Sequence, residues 1–333
     1  MISVEHLTKC YGEFVAVDDL SFSINEGRVY GFLGPNGAGK STTMNIITGC
    51  LSPTQGRVLI DGHDILEEPD EAKKCIGYLP ELPPLYLTES PEEYLSFVGR
   101  AKGLRGKTLK NQVSEVIRQT RIEPVRHRRI SALSKGYRQR VGIAQALLGN
   151  PGVIILDEPT VGLDPIQIIE IRDLIKELGR THTVILSSHI LSEVQAICDQ
   201  VMILNKGRLI AFDTPDNLEK QLLSPNEIRL TTDADADSVR SLLASRTDIT
   251  SMELHSSDRG FTSVILRSDC EDLYEISRSL YRTFASSRWD LLEMSLKKAS
   301  LEEIFLELTD DTAGDMQPLD LPEEAAESEV AQG

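Results

Sequence analysis

The stretch GPNGAGKS, residues 34–41, fits the pattern G-x-x-x-x-G-K-[ST] and decides how the rest of the chain is read. Gly34, Gly37 and Gly39 allow a loop whose backbone N–H groups, including those of Asn36 and Ala38, turn inward around phosphate oxygens. The run that follows, beginning KSTTMNIITG, predicts a helix whose positive end points at the same phosphates. Lys40 reaches the β- and γ-phosphates, the Ser41 hydroxyl ligates Mg²⁺, and Thr42 follows at the helix start. The loop lies between an apolar strand, RVYGFLG, and that helix, which is the context the motif requires.

A phosphate loop of this kind needs a carboxylate to hold the magnesium. VIILDE, residues 153–158, supplies one: four apolar residues predict a buried strand, and Asp157 stands at its end. Glu158 is adjacent, and two carboxylates at a strand terminus are hard to justify as packing. Asp157 is expected to hold Mg²⁺ through water, and Glu158 to polarise the attacking water as general base.

Outward from these two motifs, short β-branched runs fill the first third: VEHLTKCYG, FVAVDDLSFSI, RVYGFLG and RVLIDG. At Ser90 the pattern turns helical, with a capping box in Ser90-Pro91-Glu92-Glu93. Tyr94, Leu95, Phe97, Val98, Ala101 and Leu104 continue as a helical stripe, and the helical block runs to about Leu148. TVIL (183–186) and VMIL (201–204) predict further buried strands, with a helix opened by Asp164-Pro165 before them. The alternation predicts an α/β fold with a parallel core sheet. From 222 to 309 the order changes to strand, helix, strand, strand, helix, strand, then a short helix SLEEIFLEL. This is the order of a small α+β, ferredoxin-like domain.

The 333 residues exceed what a single core usually organises, and two domains are expected, 1–221 and 222–309. The formal charge is −17, of which the eight acids from Asp310 onward supply −8 with no Lys or Arg beside them. That segment, 310–333, lacks apolar periodicity and is expected to be a disordered acidic tail. Five scattered cysteines without a C-x-x-C pair predict reduced thiols and no metal site of their own. The N-terminus has no signal-peptide pattern, and no apolar run approaches the roughly 18 to 20 residues of a membrane helix. Against the acidic total, seven Lys/Arg and one acid fall between Arg121 and Arg140, a basic cluster that calls for an anionic partner.

GPNGAGKST, LSKGYRQR (133–140), VIILDEPT, GLDP and SSH, in this order, resemble the nucleotide-binding subunit of ATP-binding-cassette (ABC) transporters over residues 1–220. IGYLPELPPLYL, LSKGYRQRVGIAQALLGNP and SLEEIFLELT narrow the resemblance to the branch of drug-resistance, sodium-extrusion and gliding-motility exporters. The resemblance implies a P-loop NTPase fold of the ABC ATPase type. Its parts are a parallel core sheet, an N-terminal antiparallel β subdomain and a helical subdomain at about 82–148. It implies that Tyr11 stacks on adenine, that His189 hydrogen-bonds the γ-phosphate and that Asp164 bridges a dimer interface. Ser134 and Gly136, in the signature stretch, would meet the γ-phosphate of ATP held by a second subunit. Glu81 falls where the family usually has a Gln that senses Mg²⁺ and the membrane partner; a carboxylate keeps the oxygen but loses the amide donor. Lys135 and Tyr137 also depart from the usual signature, and Lys135 either adds a cation there or points to solvent.

The partners so implied are ATP and Mg²⁺, a second ATPase subunit in a homodimer or a heterodimer with a close relative, and a separately encoded permease. The chain would work at the cytoplasmic face of the membrane, as an exporter's motor, with the 222–309 domain serving regulation or dimer support. No nucleic acid is expected. Two rivals remain: a soluble ABC ATPase acting on nucleic acid or ribosomes, favoured by the basic stretch, and an ATP sensor without turnover.

Overall fold

The computed structural model describes residues 1–221, 226–244, 246–256, 260–268 and 272–297. The expected helix SLEEIFLEL and the acidic segment 310–333 lie outside these. The chain divides into two compact units, one holding Met1–Pro215 and the other Asp216–Glu307.

In the first unit β1 (Ile2–Tyr11) and β2 (Phe14–Ile24) form a hairpin, and β3 (Val29–Leu33) leads through the glycine loop to α1 (Lys40–Ile47). Then come β4 (Gln55–Ile60), β5 (His63–Asp64), α2 (Pro69–Lys74) and β6 (Ile76–Leu79). The helical stretch follows as α3 (Pro91–Ala101), α4 (Gly106–Gln119) and α5 (Lys135–Leu147). The remainder runs β7 (Val153–Leu156), α6 (Pro165–Gly179), β8 (Thr183–Ser188), α7 (Leu191–Ile197), β9 (Gln200–Asn205) and β10 (Arg208–Asp213), before α8 (Pro215–Gln221).

Six strands make the core sheet in the order β10-β9-β3-β8-β7-β6. All neighbours are parallel except the β9–β10 hairpin at one edge. β3, β7 and β8 are buried at every position, as strands covered on both faces must be. A separate antiparallel sheet, β2-β1-β4-β5, packs its inner face on the same core, where Phe22 meets Phe32 edge to face at 5.5 Å between centroids.

β6 was not anticipated as a strand. Four residues with Gly77 among them give a weak strand signal, but the glycine has a packing reason. A Cβ at Gly77 would lie 2.1 Å from the Ala146 carbonyl oxygen on α5, so only glycine lets that helix sit against the sheet. α3 starts with the expected capping box: Ser90 N–H donates to Glu93 Oε2 at 2.9 Å, and Glu93 N–H donates to Ser90 Oγ at 3.4 Å. Its apolar stripe differs from expectation. Tyr94 and Leu95 are buried, whereas Phe97 is half exposed and turns toward Tyr86, 5.2 Å between ring centroids.

The second unit contains β11 (Asn226–Thr232), α9 (Ala236–Leu243), β12 (Ser251–Ser256), β13 (Thr262–Ser268), α10 (Leu273–Ala285) and β14 (Leu291–Lys297). The sheet order is β12-β13-β11-β14 with every pairing antiparallel, the ferredoxin-like arrangement that the chain order predicts. Its core gathers Ile228, Leu230, Val264 and Leu266 from the sheet with Val239, Ile276, Leu280 and Phe284 from the helices. Asp235 and Asp272 cap the two helices, each accepting a backbone N–H of the first turn.

For function, the parallel strands are what count. β3, β6, β7 and β8 all end on one side of the sheet, and each hands the chain directly to a motif: the glycine loop, Glu81, Asp157-Glu158 and His189. Open α/β sheets bind ligands outside these carboxyl ends.

Candidate functional site

The glycine loop is held by three distinct constraints. Gly37 and Gly39 have φ of 84° and 100°, a left-handed backbone that a side chain would strain. A Cβ at Gly34 would sit 2.5 Å from the Leu204 carbonyl oxygen. The loop thus presses its backbone against β9 and opens its other face. α1 begins with no side-chain cap, so the first-turn N–H groups have no local side-chain acceptor. Lys40 is 6% exposed, and its Nζ donates to the carbonyls of Gly34 at 2.6 Å and Pro35 at 3.2 Å. Among the described residues no carboxylate pairs with it, and burial pushes its pKa down, opposed by the charges of Glu158 and Asp157. A buried cation with no carboxylate in ion-pair contact, beside uncapped N–H groups, is a cradle for an anion.

Across from it, Ser187 at the end of β8 ties the two carboxylates together. Its hydroxyl donates to Asp157 Oδ1 at 2.6 Å and accepts the Glu158 backbone N–H at 2.8 Å. Glu158 adopts φ 48°, an unfavourable backbone for a side chain of this type, and the Ser187 bond helps hold it there. His189 lies with Nδ1 2.9 Å from Glu158 Oε2 and 3.0 Å from Oε1. Ser187 was not singled out from the sequence; its signal was its place in SSH, one strand over from the LDE turn.

A cavity of about 370 Å³ joins these parts. Tyr11, Asn36, Gly37, Ala38, Gly39, Lys40, Ser41, Thr42, Glu81, Glu158 and His189 all line it. Gly34 and Asp157 are not on its lining; Asp157 is buried. Tyr11 is half exposed at the mouth, with Phe14 beside it and Lys9 Nζ 5.3 Å from its ring centroid.

Ser134, Gly136 and Asp164 are elsewhere. They line a second cavity of about 470 Å³ with Tyr137, Arg140 and Gln167. Ser134 caps α5 by accepting the Tyr137 N–H at 3.3 Å, and Asp164 caps α6 by accepting the Gln167 N–H at 2.9 Å. A Cβ on Gly136 would meet Gln167 Cδ at 2.7 Å, so the two helix starts pack through a bare glycine. Lys135 is exposed, and its amine lies over Gly162, where a Cβ would come within 2.2 Å of Nζ.

Three of the seven cations of the basic stretch are paired with carboxylates within the chain. Arg121 pairs with Glu177 at 2.7 Å, Arg126 with Glu92 at 2.6 Å and Arg140 with Glu170 at 2.6 Å. Arg138 donates to the carbonyls of Ile130 and Ser131. Arg128 and Arg129 are exposed. Part of what reads as a basic patch along the chain is thus spent on ion pairs, two of them to α6.

The family described as ABC transporter matches residues 17–161. An ABC transporter ATP-binding protein of Bacillus subtilis (strain 168), YhcH, is 35% identical over 319 residues, covering 95% of this chain and 98% of the relative. This chain is an ABC transporter ATP-binding subunit. The bacitracin transport ATP-binding protein of Bacillus licheniformis is 34% identical over 310 residues, 92% of this chain and 97% of that protein. Among solved structures, a dimeric ATP-binding cassette in a post-hydrolysis state bound to ADP and Pi matches with a TM-score of 0.58. It is 28% identical and covers 64% of this chain and 98% of its own. The first unit is thus an ABC-type ATPase, as the motif order implied. Among the described residues no helix is long and apolar enough to cross a membrane.

Proposed function

We propose that this ABC ATPase dimerises on ATP and drives a separately encoded permease, as an exporter subunit at the cytoplasmic face of the membrane. The observation that carries the proposal is the separation of two half-sites. Lys40, Ser41, Glu158 and His189 line one cavity, while Ser134, Gly136 and Asp164 line another. A signature turn that lines a cavity other than that of its own P-loop is free to serve a nucleotide held by another copy, and the likeness to a dimeric cassette supports this reading.

In this reading Tyr11 stacks on the adenine, and the N–H groups of Asn36 to Thr42 wrap the phosphates. Lys40 exchanges its carbonyl partners for β- and γ-phosphate oxygens. Ser41, Asp157 and Glu81 would be the oxygen donors that hold Mg²⁺, which would supply neutralisation of phosphate charge. A hydroxyl and two carboxylates are the oxygen donors that suit a hard cation of this kind. Glu158 takes a proton from the attacking water, and His189 orients that carboxylate through Nδ1. In its neutral form, with Nδ1–H given to Glu158, His189 has only an acceptor left at Nε2. Donating to a γ-phosphate therefore needs the imidazolium or release of Glu158.

Exposed Leu82, Tyr86, Leu87 and Phe97, beside Glu81, form an apolar surface suited to the permease. The second unit, with the 222–309 segment as its domain, serves as an accessory to dimerisation or regulation. Relatives named for linearmycin resistance and Nod factor export support the export direction. The soluble nucleic-acid reading loses its best support once Arg121, Arg126 and Arg140 are paired internally.

Affinity capture of the full chain from membranes of its source cells tests the proposal. A polytopic membrane protein that raises its ATPase activity on reconstitution is expected. Capture of nucleic acid instead, with stimulation that fades steeply with salt, would overturn it.

A further inference from the structure

Glu193 is 3% exposed on α7, and no motif in the sequence points to it. Its Oε2 accepts from Thr160 Oγ1 at 2.5 Å and from Ser188 Oγ at 3.2 Å, while Oε1 lies 3.7 Å from an Arg172 guanidinium nitrogen. Thr160 stands two residues after Glu158, Ser188 immediately precedes His189, and Arg172 belongs to α6, the helix that Asp164 caps. Thr160 and Ser188 are themselves buried. A buried carboxylate is costly unless it is partnered, and here two hydroxyls hydrogen-bond Oε2 while the Arg172 charge lies near Oε1, so three segments meet at it. The end of β8 has two faces: Ser187 grips Asp157 and Glu158 on one, and Ser188 grips Glu193 on the other.

We infer that Glu193 is a positioning residue that sets the relative placement of the water-polarising Glu158, the phosphate-facing His189 and the Asp164 loop. It touches no nucleotide and acts through the two hydroxyls and one guanidinium. The inference rests on the proposed catalytic roles of Glu158 and His189. A side chain needed only for stability would lower the amount of folded protein without changing the turnover of what remains. A positioning residue lowers kcat of the folded protein and leaves nucleotide affinity alone.

The test is ATP turnover by the full chain with Mg²⁺, alongside nucleotide affinity and folded fraction by circular dichroism. Glu193→Ala is expected to lower kcat at least about tenfold with KM within about twofold. Glu193→Gln, which keeps a carbonyl acceptor, should recover severalfold. In a His189→Ala background, Glu193→Ala should have a clearly smaller effect than in wild type, because the two act on one element. If Glu193→Ala does not fold, Thr160→Val and Ser188→Ala each remove one hydroxyl, and each should lower kcat severalfold at unchanged KM. Turnover near wild type in these variants, or a loss that only tracks the folded fraction and adds fully to that of His189→Ala, overturns the inference. The catalytic reading stands or falls separately, by whether Glu158→Gln still hydrolyses ATP.

Discussion

Ser187 holds both carboxylates of the site at once, donating to Asp157 Oδ1 at 2.6 Å and accepting the Glu158 N–H at 2.8 Å. One hydroxyl therefore fixes the side chain of the magnesium-side acid and the backbone of the water-side acid. Ser187→Ala leaves a buried carboxylate oxygen and a partly buried N–H without a partner. It should cost about 1–3 kcal/mol of stability and lower kcat more than tenfold (a rough scale), with ATP affinity little changed. Thermal melts and steady-state kinetics read the two effects separately.

Lys40 is buried without a paired carboxylate, so it destabilises the nucleotide-free chain. Lys40→Met should abolish ATP binding and raise the melting temperature of the apo protein. The sign with pH is definite. Burial lowers the folded-state pKa below the ordinary 10.5. The penalty is therefore full below the folded value and disappears as pH rises toward 10.5. The advantage of Lys40→Met in the absence of ATP should shrink over that alkaline range. An advantage that grows instead contradicts the assignment.

Gly136 faces Gln167, with 2.7 Å from an added Cβ to Cδ. The neighbour is the flexible part of a side chain, so Gly136→Ala should cost only about 1 kcal/mol. Its larger effect is on the surface that meets a second copy. ATP-dependent dimerisation, followed by sedimentation, should weaken while ATP binding to the single chain persists.

Gly77 faces backbone, with 2.1 Å from an added Cβ to the Ala146 carbonyl oxygen. Backbone cannot move aside cheaply, so Gly77→Ala should cost about 3 kcal/mol or more in chemical denaturation. Because β6 leads to Glu81, the same variant should also weaken activity in the protein that remains folded.

These contrasts mark what was legible in the chain. GPNGAGKS and VIILDE were readable because their chemistry and their geometry are local: a loop, a lysine, a strand end. The strands of the second unit were readable from alternation, and α3 from its capping box. β6 was not, because its fitness as a strand depends on the carbonyl of Ala146, some seventy residues away (an approximate separation in the sequence). Phe97 turned outward because Tyr86, in a preceding loop, offered it a ring. The basic run around LSKGYRQR reads as more of a patch than it is for the same reason, since Glu92, Glu170 and Glu177 pair three of its seven cations from other segments. Ser187 and Glu193 join motifs that are distant in sequence, and neither has a local pattern that reports the junction.

The central claim is that Glu158 activates water inside an ATP-closed pair of chains. Glu158→Gln is nearly isosteric and keeps an acceptor for His189, but it cannot take the proton. With ATP and Mg²⁺, turnover and molecular mass measured on the same sample decide the matter. Turnover should fall by about a hundredfold or more, while the protein accumulates as a dimer that dissociates when ATP is removed. A Glu158→Gln chain that stays monomeric and hydrolyses ATP at the wild-type rate contradicts the account.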